Sequence, residues 1–443
     1  MMNIKHDLAL KMGKLTLATL KLFNRTGTAL PGKVALTIDK SFLEVINQKC
    51  DKIILVTGTN GKTTTNNLIN HVLSDYNLLS NLRGANMRQG VASTYIRNTQ
   101  ESYDYGLFEV DEGSLDFVSS YLKADYIILT NFFRDQLDRY GEIESIINEV
   151  MEDIKLLPDS KLIINCDDPY VNQFKYKLDN EVIRFGLDII SDYSERNLIL
   201  KKCPLCGCKL EYSKFNYGHL GNYNCPKCEF NNNTKEYCVN SIIQNDSSQT
   251  ITINHSDKDY TIEYPYVGLY NAYNLCGVFA LANELKLDIN KTIEQMENFT
   301  FSLGRMEEFN YKNKTIKVIL TKNPVGLSQV TRIISHDDRT KSIVHILNDN
   351  PADGRDISWI WDANTSCTND NTVTNYYCSG IRAEDMALKK KYDDVNTDKI
   401  HINDNMYNTI NTAIEDDVEI VYVLPTYTAI FETRDYISKI VKR

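Results

Sequence analysis

The apolar positions of this chain fall into short runs separated by helix-spaced segments. Ile53-Ile54-Leu55-Val56 is an uninterrupted apolar run, the pattern of a strand buried on both faces. Asn66 to Leu73 follows, with Leu68, Ile69 and Val72 on one side of a helix. Further strands are predicted at Gly106 to Val110, Tyr126 to Thr130 and Lys161 to Asn165. Strands alternating with helices predict a parallel-rich α/β sheet. Val239 to Tyr264 holds two β-like runs around Asn245-Asp246 and Ser256-Asp257, expected to return the chain to the main sheet, and a helix should run from Gly268 through Leu285. A second alternation places strands at Ile316 to Thr321, Ser342 to Leu347, Thr374 to Cys378 and Val418 to Leu424, the pattern of a smaller Rossmann-like α/β domain. Ahead of all these, Leu8, Met12, Leu15 and Leu22 are spaced as the apolar face of a helix, with Lys5, Lys11, Lys14, Lys21 and Arg25 among them. A membrane-surface helix has this pattern. Packing on the following domain is the simpler expectation.

The length of 443 residues allows two or three domains. The expected division is an N-terminal helical segment over 1–50, a nucleotide-binding domain over 51–310 and a C-terminal domain over 315–443. The balance of 49 basic against 59 acidic residues argues against a nucleic-acid partner. No apolar run is long enough to span a bilayer and the N-terminus lacks a signal-peptide pattern, so a cytoplasmic protein is expected. Eleven cysteines in that compartment call for something other than disulfides. Four of them form C-x2-C, eighteen residues, then C-x2-C: Cys203, Cys206, Cys225 and Cys228, the frame of a zinc ribbon inserted at about 200–240. Four thiolates close a tetrahedral shell, so this Zn2+ would be structural. Cys208 is an alternative to Cys206 in that shell. Cys50, Cys166, Cys238, Cys276, Cys367 and Cys378 read as buried thiols.

The chemistry begins at Thr57-Gly58-Thr59-Asn60-Gly61-Lys62-Thr63-Thr64-Thr65, between the first strand and its helix. Strand, glycine turn, Lys-Thr, helix is the context of a phosphate-binding loop. Backbone N–H groups converge on the phosphates, Lys62 supplies a positive charge and the Thr63 hydroxyl can hold Mg2+. Gly58, Thr59, Asn60, Gly61, Lys62, Thr63 and Thr64 are therefore the candidate ATP-binding residues. Glu109, at the carboxyl end of its strand, can reach the same magnesium ion, and Asp111 and Glu112 make it a carboxylate cluster.

The glycine spacing is the short form G-T-N-G-K-T, which resembles the ATP loop of the Mur ligase superfamily. Four later stretches are similar to that family's motifs. Asn131 to Gly141 resembles Asn-x-x-x-Asp-His-Leu-Asp-x-x-Gly, with Gln136 where the family has a metal-binding histidine. Asn165-Cys166-Asp167-Asp168 resembles Asn-x-Asp-Asp, and Gly268 to Asn274 resembles Gly-x-His-Asn-x-x-Asn with Tyr270 for the histidine. Gly304-Arg305-Met306-Glu307 resembles Gly-Arg-x-Glu. The resemblance implies that Asn271 contacts the nucleotide and Arg305 reaches the ATP phosphates.

The C-terminal stretches Leu320 to Pro324, Asn348 to Asp362 and Gly380 to Asp385, with the ribbon, Gln136 and the short N-terminus, narrow the resemblance to the MurT family of ligase subunits. It implies ATP-dependent amidation of the D-glutamate α-carboxyl in the stem peptide of lipid II, with ammonia from a GatD glutaminase. No Gly-x-Cys-x-Gly elbow occurs in the chain, so it lacks the expected nucleophile of a class I glutaminase. The resemblance also implies that an aspartate of the last domain completes the partner's Cys–His pair. Asp349 is the expected residue, with Asp353 and Asp356 as alternatives. Two other readings compete: a stand-alone Mur or folylpolyglutamate-type ligase that adds an amino acid, and a zinc-ribbon ATPase that binds nucleic acid.

Overall fold

The structure, a computed structural model, describes residues 4–23, 27–81, 86–133, 143–189, 202–245, 248–300 and 306–442. The chain forms two compact units, Met1–Phe132 with Ile143–Phe299, and Phe133–Glu142 with Thr300–Arg443.

The first unit is built on six parallel strands: β1 (Cys50–Thr57), β2 (Leu78–Ser80), β3 (Tyr103–Glu109), β4 (Tyr126–Leu129), β5 (Lys161–Asn165) and β6 (Val182–Leu187). An antiparallel pair, β7 (Glu211–Tyr217) and β8 (Leu220–Asn224), stands apart. Then β9 (Tyr237–Gln244), β10 (Gln249–His255) and β11 (Lys258–Tyr264) extend the main sheet, so its order is β11-β10-β9-β6-β5-β4-β1-β3-β2. Ser256 and Asp257 both take positive φ, 50° and 60°, as a tight two-residue hairpin turn requires. After β1 the chain fills one side with β2 and β3, then crosses to the other with β4. The loops therefore part at the carboxyl end of β1, where open α/β sheets bind ligands.

Helices α1 (Ile4–Leu22), α2 (Leu30–Ile38), α3 (Glu44–Asn47), α4 (Lys62–Val72), α5 (Arg88–Arg97) and α6 (Leu115–Tyr121) belong to this unit. The N-terminal helix does pack on the following domain, but not by the face the apolar spacing suggested. Its buried residues are His6, Ala9, Gly13 and Leu17, while Leu8, Met12, Leu15 and Leu22 face out. The physical reason is close approach. A Cβ on Gly13 would meet the Cδ1 of Ile96 in α5 at 2.6 Å and stand 3.4 Å from Pro31 O, so the helix approaches its neighbours most closely along Ala9 and Gly13. No helix among the described residues is long and apolar enough to cross a membrane.

The second unit carries β12 (Glu307–Tyr311), β13 (Lys314–Val318), β14 (Lys341–Ile346), β15 (Val373–Ser379), β16 (Ile400–Ile402) and β17 (Ile420–Pro425). Their order is β12-β13-β17-β14-β15-β16, all parallel except the edge strand β12. Helices Pro324–Ser335 and Ala383–Tyr392 supply Leu327, Val330, Ile334 and Met386 to one core, and Met406–Glu415 and Ile430–Val441 supply Ile410, Ala413, Ile430 and Ile437 to the other. Both faces are covered, which is why these strands read as continuous apolar runs. β12 and β16 were not anticipated. Glu307–Tyr311 is polar and half-buried at an edge, and β16 has only three residues, so neither carries a strong pattern.

Candidate active site

β1 delivers the phosphate-binding loop to the sheet's carboxyl edge, and α4 starts at Lys62 itself, four residues before the apolar periodicity shows. Gly58 and Gly61 have φ of 120° and 87°, a left-handed region that favours glycine. Gly58 also lies against the backbone of Asn131, whose O would be 2.8 Å from an added Cβ. Asn131 clamps the loop: its O accepts from Thr59 N at 2.7 Å, its Oδ1 from Asn60 N at 2.9 Å, and its Nδ2 donates to Asn60 O at 3.0 Å. On the other side, Gly61 faces Asn274, whose Oδ1 accepts from Thr65 Oγ1 at 3.4 Å. Asn274 is a site residue that the sequence reasoning passed over, although it ends the Gly268–Asn274 stretch. Thr64 is buried in the first turn of α4.

Parallel pairing sets Val56 beside Glu109, so the β3 carboxylate arrives next to the loop. Glu109 Oε1 accepts from Thr63 Oγ1 at 2.9 Å and from Asn86 Nδ2 at 3.2 Å. Asn81 brackets its backbone, with bonds of 2.9 and 2.8 Å to Glu109 N and O. A hydroxyl and a carboxylate in contact at a strand edge are the hard oxygen donors magnesium takes, so the residues present fit Mg2+.

Lys62 donates to Gly58 O and to Glu112 Oε2, the latter at 2.9 Å, with Asp111 Oδ1 at 3.8 Å. Burial works to lower the Lys62 ammonium, and Glu112, Asp111 and Glu109 outweigh it and raise it. Burial pushes the Glu112 carboxyl up against the pull of Lys62. The lysine is thus a fixed cation at the loop, held by acids that a nucleotide phosphate can replace.

Asn271 lies on the helix Leu269–Glu284, fully buried, with Nδ2 donating to Val267 O at 2.8 Å. Arg305 and Gln136 lie outside the described residues.

Asp167 and Asp168 are buried ties. Asp168 accepts from Phe132 N at 2.7 Å and Tyr170 N at 2.8 Å, and meets His219 Nε2 at 3.0 Å. Asp167 accepts from Leu187 N at 2.7 Å, Tyr273 Oη at 2.8 Å and Asn232 Nδ2 at 2.7 Å, and pairs with Lys235 at 2.6 Å. Through these bonds the β7–β8 hairpin and the segment around it brace the loops after β4 and β5.

In the inserted segment, Cys203, Cys206, Cys225 and Cys228 bring their ligand atoms within 4.8 Å of one another. The Cys203–Cys228 and Cys206–Cys225 sulfurs are 3.6 and 3.5 Å apart. Four thiolates around one zinc stand about 3.8 Å apart, so this cluster fits the ion. Cys208 is not in the cluster; its backbone O accepts from Cys203 N at 2.6 Å, closing the knuckle. Of the six other thiols, Cys50, Cys166, Cys276 and Cys378 are buried and Cys238 is half-buried. Cys367 is exposed, contrary to expectation, because it sits in the short 3-10 turn Ser366–Thr368 rather than in a strand.

In the second unit the three candidate aspartates follow β14. Asp353 is buried, its carboxylate consumed by Thr428: N to Oδ1 at 2.7 Å and Oγ1 to Oδ2 at 2.5 Å. Asp356 Oδ1 accepts from Ser358 N at 2.8 Å, a local turn bond. Asp349 remains partly exposed, with Oδ2 3.4 Å from Arg382 Nε, which is equally far from Asp385 Oδ2. Asn348 Oδ1 accepts from Ile381 N at 3.0 Å, and Gly380, with φ of 87°, has no room for a Cβ beside Leu347 O. Asn323 caps the helix Pro324–Ser335 by accepting from Gly326 N at 2.8 Å.

The Mur ligase middle domain model matches residues 56–225, and the MurT ligase C-terminal model matches residues 320–430. A Staphylococcus aureus (strain COL) protein is 32% identical over 426 residues, covering 95% of each chain. It is named lipid II isoglutaminyl synthase (glutamine-hydrolyzing) subunit MurT. This chain belongs to the MurT family. The MurT protein of Streptococcus pneumoniae (strain ATCC BAA-255 / R6) is 31% identical over 99% of this chain and 98% of its own. The fold is that of Mur ligases. A pseudomurein peptide ligase type C from Methanothermus fervidus superposes with a TM-score of 0.70 at 20% identity, over 90% of this chain and 80% of that one. MurF from Acinetobacter baumannii gives 0.68 at 12% identity, over 93% and 81%.

Proposed function

We propose that this MurT-family ligase amidates the D-glutamate α-carboxyl of the lipid II stem peptide to D-isoglutamine, using ATP and ammonia from a GatD-like glutaminase. Residues 51–310 form the ATP-binding domain in this reading, and residues 315–443 the domain that serves the partner. The observation that carries the reading is the meeting of Thr63 and Glu109 beside Lys62 at the end of β1, a phosphate site with its own carboxylate. The loop N–H groups and Lys62 hold the ATP phosphates, with Asn271 and Arg305 as further contacts. Mg2+ on Thr63 and Glu109 would supply charge neutralisation there. A substrate carboxylate oxygen attacks the γ-phosphorus and ADP leaves, giving an acyl phosphate. Lys62 stabilises the charge that develops. Ammonia then attacks the acyl carbon, phosphate departs, and the amide remains after loss of a proton.

Asp349 is the residue offered to the glutaminase: Asp353 is buried with both carboxylate oxygens bonded to Thr428, whereas Asp349 is partly exposed beside Arg382. An acid there orients the partner's histidine and stabilises its cation. The zinc ion is structural, held by Cys203, Cys206, Cys225 and Cys228, and the ribbon braces the loop around Phe132. A lipid-linked substrate places the work at the inner face of the cell membrane.

The test supplies ATP, lipid II and glutamine, with and without a co-expressed glutaminase, and follows the product by mass. Amidated lipid II with the partner, and only with free ammonium in its absence, is the expected result. No amidation with the partner present overturns the proposal, and turnover driven by an added amino acid would favour the stand-alone ligase.

A further inference from the structure

Helix α1 carries its large apolar side chains on the outside. Ile4, Leu8, Leu15, Leu22 and the adjoining Phe23 are 86%, 50%, 59%, 85% and 73% exposed, and Met12 is 38% exposed. At about 100° per residue the four exposed aliphatics from Ile4 to Leu22 share one stripe, roughly 27 Å long, opposite the buried Ala9, Gly13 and Leu17. Single exposed apolar residues are ordinary on a protein surface; a row of them along one helix is not. The inward face is already satisfied by α5 and the turn after α2: Gly13 sits against Ile96, and His6 stacks on Phe42 at 4.8 Å and meets Asp39 at 3.3 Å. Turning the helix to bury the stripe would replace Ala9 and Gly13 by leucines at the close approach to Ile96 and Pro31 and undo the His6 contacts.

One flank of the stripe is basic: Lys14 and Lys21 lie about 80–100° round the helix from Ile4, Lys11 stands at the edge of the stripe, and Asp7 falls on the same side. Lys11, Lys14 and Lys21 are exposed, and the helix carries four lysines against Asp7 in a chain whose formal net charge is -10. We infer that the outward face of α1 is a docking surface for an anionic lipid bilayer, with Leu8, Leu15 and Leu22 entering the headgroup boundary and Lys11, Lys14 and Lys21 on the lipid phosphates. Charge complementarity selects this occupant. A second copy of the helix would bring lysine rows together, whereas an anionic surface attracts them and long lysine stems let the charges reach the headgroups. An anionic bilayer would repel the rest of this acidic chain, so the basic helix also sets which side approaches it. The inference extends the lipid II reading but stands on α1 alone.

The test is co-sedimentation of the full-length chain with vesicles of phosphatidylcholine, with and without phosphatidylglycerol, in the absence of ATP and glutaminase. Binding should require phosphatidylglycerol and fall with salt. Each Lys→Gln change at Lys11, Lys14 or Lys21 should weaken it about fivefold. L8S/L15S/L22S should abolish it while the helix content and the amidation of lipid II in detergent stay at wild-type levels. Wild-type chain that ignores anionic vesicles, or a triple serine variant that binds like wild type, overturns the inference. So does a wild-type dimer that the serine variant converts to monomer without any vesicle binding. Failure of amidation with intact vesicle binding would instead count against the proposed reaction.

Discussion

Replacing Asp349 by Asn separates the two halves of the proposed reaction. The side chain is 29% exposed and pairs with Arg382 at 3.4 Å, and Arg382 keeps Asp385 at the same distance when Asp349 loses its charge. No charge is stranded, and an exposed pair of this kind contributes about 0–1 kcal/mol, so the variant should melt close to wild type. Its effect falls on the partner's histidine. Removing the orienting acid of a triad costs roughly 10^4-fold in turnover in a serine protease, and a loss of about 10^3–10^4-fold in glutamine-driven amidation is expected here. Amidation driven by ammonium chloride bypasses the glutaminase and should stay within about twofold, since in the proposed reaction Asp349 acts only through the partner's histidine. The assay measures isoglutamine-containing lipid II with each nitrogen source for the same purified complex. Asp353→Asn is the control. It breaks buried bonds to Thr428 and should destabilise by about 1–3 kcal/mol, depressing both activities together. Equal loss of both activities in Asp349→Asn, at unchanged melting temperature, would refute the assignment.

Three further outcomes follow from the geometry. Lys62→Met should abolish ATP turnover and, by leaving Glu112 buried without its cation, cost about 3 kcal/mol in thermal unfolding; adding Glu112→Gln should recover most of the stability and none of the turnover. Metal analysis should find zinc in wild type and in Cys208→Ser but not in Cys206→Ser, and chelation should loosen the loop that Asp168 holds at Phe132, read as faster amide exchange there. Asp337 is desolvated, yet its bonds from Arg339 and Tyr422 hold its carboxyl down to about 2 against a usual 3.8. Its contribution of about 2 kcal/mol is whole above the higher value and lost as pH falls through the lower one. Asp337→Asn should therefore flatten the acid limb of a stability–pH curve and lower stability at neutral pH.

The sequence by itself determined the elements whose pattern is local. Buried parallel strands read as apolar runs because both of their faces are covered, which holds for Ile53 to Val56 and Lys161 to Asn165. The glycine loop and the two Cys-x-x-Cys knuckles were legible because ligand geometry demands close spacing along the chain. Tertiary structure decided what depends on a neighbour. Asn274 and Asn131 became loop clamps only when two distant segments met Gly61 and Asn60. Among three aspartates within eight residues the sequence shows no difference in burial; Thr428, far along the chain, ties up Asp353, while Asp349 stays partly exposed beside Arg382. The same limit explains α1. Periodicity shows that Leu8, Met12, Leu15 and Leu22 share a face, and a face can look inward or outward. The choice fell to the face of Ala9 and Gly13, whose small side chains let the helix come close to α5, with His6 and Leu17 buried beside them.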